Sequence, residues 1–145
     1  MDPVSIVALL EGSIGLALQC AGTVKTLNDI AGKYKNARLA ISSMVQNLDA
    51  IQLVWERIST WAKSSELDLN TEDAAFIQRL EKLLEGGTLV MDALEDDLLS
   101  YNNTTKLSFL TSSKFVFNEA ILQGHQSRLR DQTISMTLVL QALQP

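Results

Sequence analysis

The chain has 145 residues, of which 46% are hydrophobic and 20% charged, and its formal net charge is −5. A chain of this length is the size of one domain and buries a core without disulfides or a structural metal. Its one cysteine, Cys20, excludes an internal disulfide framework and is typical of a reducing, intracellular compartment. Because the two prolines, Pro3 and Pro145, lie at the ends, the rest of the chain is free to be almost entirely helical.

The charges are distributed unevenly along the chain. Between Glu66 and Asp97, ten carboxylates stand against two basic residues, Arg79 and Lys82. This acidic stretch argues against nucleic acid as a partner. A basic cluster consists of Lys25, Lys33, Lys35 and Arg38. We interpret it as a solvated junction between two helices, with contact to anionic lipid headgroups as the alternative.

The most apolar stretch is Val4–Val24, in which Glu11 is the only charged residue. Asp2 before Pro3 favours a helix start there, and the helix is predicted to continue to about Gly32. Two apolar lanes follow it at heptad spacing: one comprises Val7, Leu10, Ile14, Ala17, Ala21 and Val24, and the other Ile6, Leu9, Leu16, Cys20, Leu27 and Ile30. A helix that is apolar over so much of its surface is buried in protein or in lipid.

The same stretch has the length of a membrane span. As a helix it is roughly 31 Å long, about the thickness of the hydrocarbon layer. Its aliphatic side chains favour insertion by about 3 to 5 kcal/mol, whereas Glu11 costs about 3 and the glycines and polar residues remove the remainder. A sum near zero predicts burial in a soluble bundle at rest and entry into lipid only conditionally. The candidates for membrane insertion are Val4, Ile6, Val7, Leu9, Leu10, Glu11, Ile14, Leu16 and Leu18.

Further helices follow along the chain. An unbroken apolar lane from Ile41 to Ala62 predicts a second helix over about Asn36–Lys63. Capping residues at 68–73 precede a third helix, whose lane continues through Gly86 and Gly87, where another helix is expected to approach closely. After a polar loop at 101–106, residues 107–117 predict a short helix rather than a strand, and a last helix opens at 118–119 and continues to 143.

These patterns predict an all-α fold, a single helical-bundle domain over residues 1–145 with four to five helices and the apolar N-terminal helix central. Leu10 and Ile14 would then be core positions, so their replacement by Ala would destabilise the domain strongly. Gly12, Gly15 and Gly22 would mark points where neighbouring helices come close.

The sequence contains few candidate catalytic residues. His125 is the only histidine, and no second His or Cys stands at metal-ligand spacing from it. We predict that His125 and Gln132, seven residues apart, form a polar pair in the core, with the imidazole hydrogen-bonded to a neighbouring helix. The consecutive carboxylates at 95–97 point in different directions around a helix and are expected to be solvated. No enzyme activity, cofactor, metal or small-molecule substrate is expected.

Three runs of sequence together resemble a known family: MDPVSIVALLEGSIGLALQCAGTVKTLNDIAGKYKNA at the start, GGTLVMDALEDDL in the middle and VFNEAILQGHQSRLRDQTISMTLVLQALQ at the end. The family is the fungal N-terminal domain found ahead of NACHT, NB-ARC or ankyrin-repeat regions in fungal NOD-like receptor (STAND) proteins, related to HeLo and HeLo-like cell-death domains. Glu11 is unusual beside the more membrane-active relatives, whose leading segment tends to be uncharged.

The resemblance implies a cytoplasmic helical bundle that is the effector or signalling end of a larger receptor. It also implies that the leading helix, here Val4–Val24, is released and disrupts an anionic membrane after oligomerisation. Partners would be other copies, other domains of the receptor and, on activation, the membrane. The alternative is a docking or self-association module without membrane activity, which Glu11 and the acidic third helix favour.

Overall fold

The computed structural model describes residues 3–33, 38–64, 71–102 and 119–143, and all of these residues are helical. The helices are α1 (Pro3–Lys33), α2 (Arg38–Ser64), α3 (Thr71–Asn102) and α4 (Glu119–Leu143). The predicted all-α bundle is confirmed. Tyr101 and Asn102 belong to α3 rather than to the predicted loop, because no glycine or proline interrupts the helix after Leu98. The short helix predicted at 107–117 lies outside the described residues.

Each described helix packs against two others. α1 packs against α2 and α3, and α4 packs against the same two helices. α1 and α3 are parallel, because Gln19 contacts Asp92 and the later Thr23 contacts the later Glu95. Among the described helices, α1 therefore lies at one corner of a four-helix arrangement, diagonally opposite α4.

The remaining directions follow from short connections and cross-helix contacts. Only residues 34–37 separate α1 from α2, and helices joined by so short a connection are antiparallel. α2 and α4 are parallel, since Gln126 reaches the carbonyl of Ala40 and Thr133 lies against Asn47. Around the bundle the order is thus α1, α2, α4, α3.

The predicted apolar lanes of the later helices form the core. α2 buries Ile41, Met44, Leu48, Ile51, Val54, Trp55, Ile58 and Ala62. α3 contributes Ile77, Leu80, Met91, Leu94 and Leu98, and α4 contributes Leu122, Leu129 and Met136 together with His125. Across the α2–α3 diagonal, the rings of Trp61 and Phe76 meet edge to face with centroids 5.5 Å apart.

The four described helices meet at Gly87, which is buried. A Cβ added there would lie 3.0 Å from Leu16 Cδ2 of α1, 3.5 Å from Gln132 Oε1 of α4 and 3.8 Å from Trp55 Cζ2 of α2. A Cβ at Gly86 would meet only Gln132 Nε2, at 4.0 Å. The close approach predicted for this glycine pair is therefore confirmed at Gly87.

α1 meets its neighbours with one face. The lane of Ile6, Leu9, Leu16, Cys20, Leu27 and Ile30 is buried throughout. In the other predicted lane Ala17 is buried and Leu10 and Val24 are half-buried, but Val7, Ile14 and Ala21 are exposed. Ile14 is thus not a core position, and Leu10 is one only in part. The reason is geometric: α1 packs against two of the described helices and buries the side that faces them.

Candidate functional site on the first helix

The buried face of α1 contains two hydroxyl residues that interrupt its apolar lane. Ser13 and Thr23 are 0% and 2% exposed; Ser13 stands between Leu9 and Leu16 in the buried lane, and Thr23 stands between Cys20 and Leu27. Ser13 Oγ donates to the carbonyl of Leu9 at 2.6 Å, and Thr23 Oγ1 donates to that of Gln19 at 2.8 Å. Both hydroxyls are therefore satisfied within α1 itself, which is what allows them in an apolar environment.

The opposite side of α1, here called the outward face, is exposed and nearly uncharged. It consists of Val7, Ala8, Glu11, Ile14, Gly15, Leu18, Ala21, Gly22, Lys25 and Asp29. Val7, Ile14 and Leu18 are 39%, 46% and 69% exposed. From Val7 to Gly22 the only charged side chain on this face is that of Glu11. A strip of large aliphatic side chains open to water on one helix is a feature of interaction surfaces.

The glycines of α1 differ in what lies next to them. A Cβ at Gly12 would overlap the side chain of Leu84, so this glycine does allow α3 to approach. At Gly15 and Gly22 nothing in the described structure lies within 4 Å of an added Cβ. The prediction that these two mark close approaches within the bundle is wrong, because no described helix comes near the Cβ position of either glycine.

A polar seam joins α1 to α3. Gln19 Nε2 donates to Asp92 Oδ1 at 2.8 Å, and Thr23 Oγ1 lies 3.2 Å from Glu95 Oε1. Beside the seam a groove of about 150 Å³ is lined by Gly22, Thr23, Thr26, Glu95, Leu98 and Leu99. This volume is smaller than that of a pocket for a drug-sized ligand, roughly 300 Å³ or more.

The candidates for insertion are divided between the buried and the exposed side of α1. Among the nine insertion candidates, Ile6, Leu9 and Leu16 are buried, Leu10 is half-buried, and Val7, Glu11, Ile14 and Leu18 are exposed; Val4 lies in the first turn of α1. Of the basic cluster, Lys25 and Arg38 are exposed on α1 and α2, Lys33 is the last residue of α1, and Lys35 lies outside the described residues.

His125 lies between α3 and α4. It is 3% exposed, and its Nε2 is 2.5 Å from Oδ2 of Asp97 on α3. Since a carboxylate only accepts, the imidazole donates this bond. Gln132 does not contact His125 but lies against Gly87, and its Oε1 has no partner among the described residues. The predicted hydrogen bond of the imidazole to a neighbouring helix is confirmed at Asp97, whereas the predicted polar pair of His125 with Gln132 is not formed.

Cys20 is buried under α3. Burial, with a further effect from the carboxylate of Glu95, raises the pKa of the Cys20 thiol to about 12. At neutral pH the group is a protonated thiol and a poor nucleophile. Within the described residues no group of three or more His, Cys, Asp or Glu side chains is placed to hold a metal ion.

Three details of this arrangement were not predicted from the sequence: the place of Lys25 on the outward face, the burial of Ser13 and the contact of Asp97 with His125. Lys25 shares the outward face with Glu11 and Leu18, which the seven-residue spacing of these positions could have indicated. Ser13 was recognisable as a core residue from its heptad position between Leu9 and Leu16. Asp97 could not be singled out, because three consecutive carboxylates each point in a different direction.

By length and composition, Ile6–Gly32 is the one helix of the described chain able to cross a membrane, with a mean hydropathy of 1.5. The core helix of a soluble protein meets the same criterion, and α1 is here partly buried in the bundle. The chain as a whole matches no protein-family model, no curated protein and no solved structure.

Proposed function

We propose that this domain is the effector end of a larger receptor of the fungal NOD-like type, and that α1 is a conditional membrane-disrupting element. The three sequence runs quoted above support the receptor assignment by resemblance. The outward face of α1 supports the membrane role, and it is the observation on which the proposal rests. Because the folded chain exposes the aliphatic side chains of Val7, Ile14 and Leu18 to water, transfer of these side chains into lipid is favourable.

The hydrogen bonding of α1 suits a lipid environment. Ser13, Thr23 and Thr26 each donate to the carbonyl four residues earlier, at 2.6, 2.8 and 3.2 Å. These bonds lie within the helix and travel with it, so release from the bundle leaves none of the three hydroxyls without a partner. An unpartnered polar group in hydrocarbon would cost several kcal/mol.

The packing of α1 makes its release conditional. Each fully buried aliphatic side chain of the inner lane, such as Leu9, Leu16 or Leu27, stabilises the bundle by about 1.5 to 3 kcal/mol. Withdrawal of the whole lane therefore costs on the order of 10 kcal/mol. Contact with lipid must replace this burial, and oligomerisation brings several such helices to one patch of membrane.

The test is leakage of dye from anionic liposomes, with the chain added alone and after fusion to an oligomerising tag. Glu11→Leu should increase leakage, because it removes the only charged side chain between Val7 and Gly22 on the outward face. Leu18→Glu should reduce it, whereas Leu89→Glu, at a side chain on α3 that is equally exposed, should have little effect. Absence of leakage in both the monomeric and the oligomerised folded chain would contradict the proposal.

The alternative function is docking or self-association without entry into lipid. The position of Glu11 favours it, since this exposed carboxylate lies in the middle of the apolar strip and resists insertion. Under this alternative Glu11→Leu leaves lipid binding unchanged. Flotation of the parent and variant chains with liposomes separates the two functions.

A further inference from the structure

We infer that two copies of this chain pair through the outward face of α1, antiparallel and related by a two-fold axis at Leu18. This pairing concerns the resting chain in water and goes beyond the proposed function, since it holds whether or not α1 enters lipid. In this pair, the exposed strip of each copy is covered by the same strip of the other copy.

The charges on the face are arranged for this pairing. Glu11 and Lys25 are both exposed, and each lies seven residues from Leu18 on the same side of α1. Seven residues are about two helical turns, so the carboxylate and the ammonium stand roughly 10 Å to either side of Leu18. In an antiparallel pair centred there, Glu11 of each copy faces Lys25 of the other, which gives two opposite-charge pairs.

A parallel arrangement has the opposite electrostatics. With the copies in register, Glu11 would face Glu11 and Lys25 would face Lys25. Like charges set against one another in an interface are unfavourable and exclude wrong arrangements. The charge pattern therefore selects the antiparallel direction, and a two-fold interface of this kind is the commonest in homo-oligomers.

The shapes of the facing residues are also complementary. The two-fold axis sets the large Ile14 of one copy against Gly22 of the other, and Gly15 against Ala21. No atom in the described structure lies within 4 Å of a Cβ built at Gly15 or Gly22. That space can receive the side chains of the second copy and allow the two helices to approach closely. At the centre the two Leu18 side chains, each 69% exposed in the single chain, cover one another.

A charge exchange tests the inference by sedimentation velocity over a range of concentrations without lipid. The parent chain should show a monomer–dimer equilibrium. Glu11→Lys and Lys25→Glu should each weaken the dimer about tenfold, because two attractive pairs become repulsive. The double exchange E11K/K25E should restore the parent affinity. Glu85→Lys, an exposed charge change on α3, is the matched control and should leave the dimer intact.

The contribution of the apolar strip is tested with a second pair of variants. Leu18→Glu should abolish the dimer, whereas Leu89→Glu on α3, with 68% of the side chain exposed against 69%, should not. All these positions are exposed, and helical circular dichroism confirms that each variant is folded. A parent chain that stays monomeric at millimolar concentration overturns the inference. A double exchange that dimerises no better than the single variants also overturns it.

Discussion

Replacement of Leu9 by Ala should lower the free energy of unfolding by about 3 to 4 kcal/mol, whereas Leu18→Ala should change it by less than about 0.5. The two substitutions remove the same atoms from the same helix, so they alter its intrinsic propensity equally. Leu9 is fully buried and Leu18 is 69% exposed. Loss of the buried carbons of Leu9 accounts for a little over 2 kcal/mol at about 0.8 per carbon, and the cavity left among packed neighbours accounts for the rest.

Urea unfolding followed by helical circular dichroism measures both variants at the lowest workable concentration, so that association contributes little. With a slope of about 2 kcal/mol per molar urea, Leu9→Ala should lower the midpoint by about 1.5 to 2 M and Leu18→Ala by less than about 0.3 M. The slope itself should not change. Equal shifts in the two variants, or a larger one for Leu18→Ala, would show that the outward face is packed and would refute the corner position of α1.

Four further outcomes are expected. Gly86→Ala should stabilise the domain by about 0.5 to 1 kcal/mol through helix propensity, whereas Gly87→Ala should stabilise it less or destabilise it, because its Cβ would lie 3.0 Å from a buried side chain; thermal unfolding compares the two. His125→Ala should cost about 1.5 to 3 kcal/mol through loss of its charge-assisted bond to Asp97, and calorimetry measures the change. The Cys20 thiol should react with an alkylating reagent at pH 8 only at the rate at which the chain unfolds. Its folded-state pKa of about 12 lies above the ordinary value of 9.0, so its contribution to stability is complete below pH 9 and declines as the pH rises toward 12, which urea midpoints measured in that range would reveal.

The helical class and most of the core could be predicted from the order of the residues. No proline interrupts the chain between Pro3 and Pro145, and each later helix carries a single apolar lane. A helix with a single apolar lane is oriented so that this lane is buried. The buried positions of α2, α3 and α4 therefore follow from periodicity. Gly87 was likewise identifiable, because the lane of α3 continues through it without a change of phase.

The orientation of α1 depended on the tertiary structure. Its two lanes are almost equally apolar, so periodicity alone predicts that both are buried and cannot rank them. The packing of α1 against α2 and α3 determines which lane is buried. The Leu84 side chain packs against Gly12, and Leu16 occupies the space beside Gly87. Among the described helices only α2 and α3 cover α1, which buries the lane that fits these contacts and leaves Ile14 in water.

The partner of His125 was decided in the same way. The sequence offers three consecutive carboxylates on α3, and nothing in their order distinguishes one from another. The rotation of α3 about its axis and its distance from α4 bring Asp97 to the imidazole. Local sequence determines which side chains share a face of a helix, because the helical repeat is fixed. Which face meets which neighbour is decided only when all four helices pack together, because that choice depends on the shapes of residues far apart in the chain.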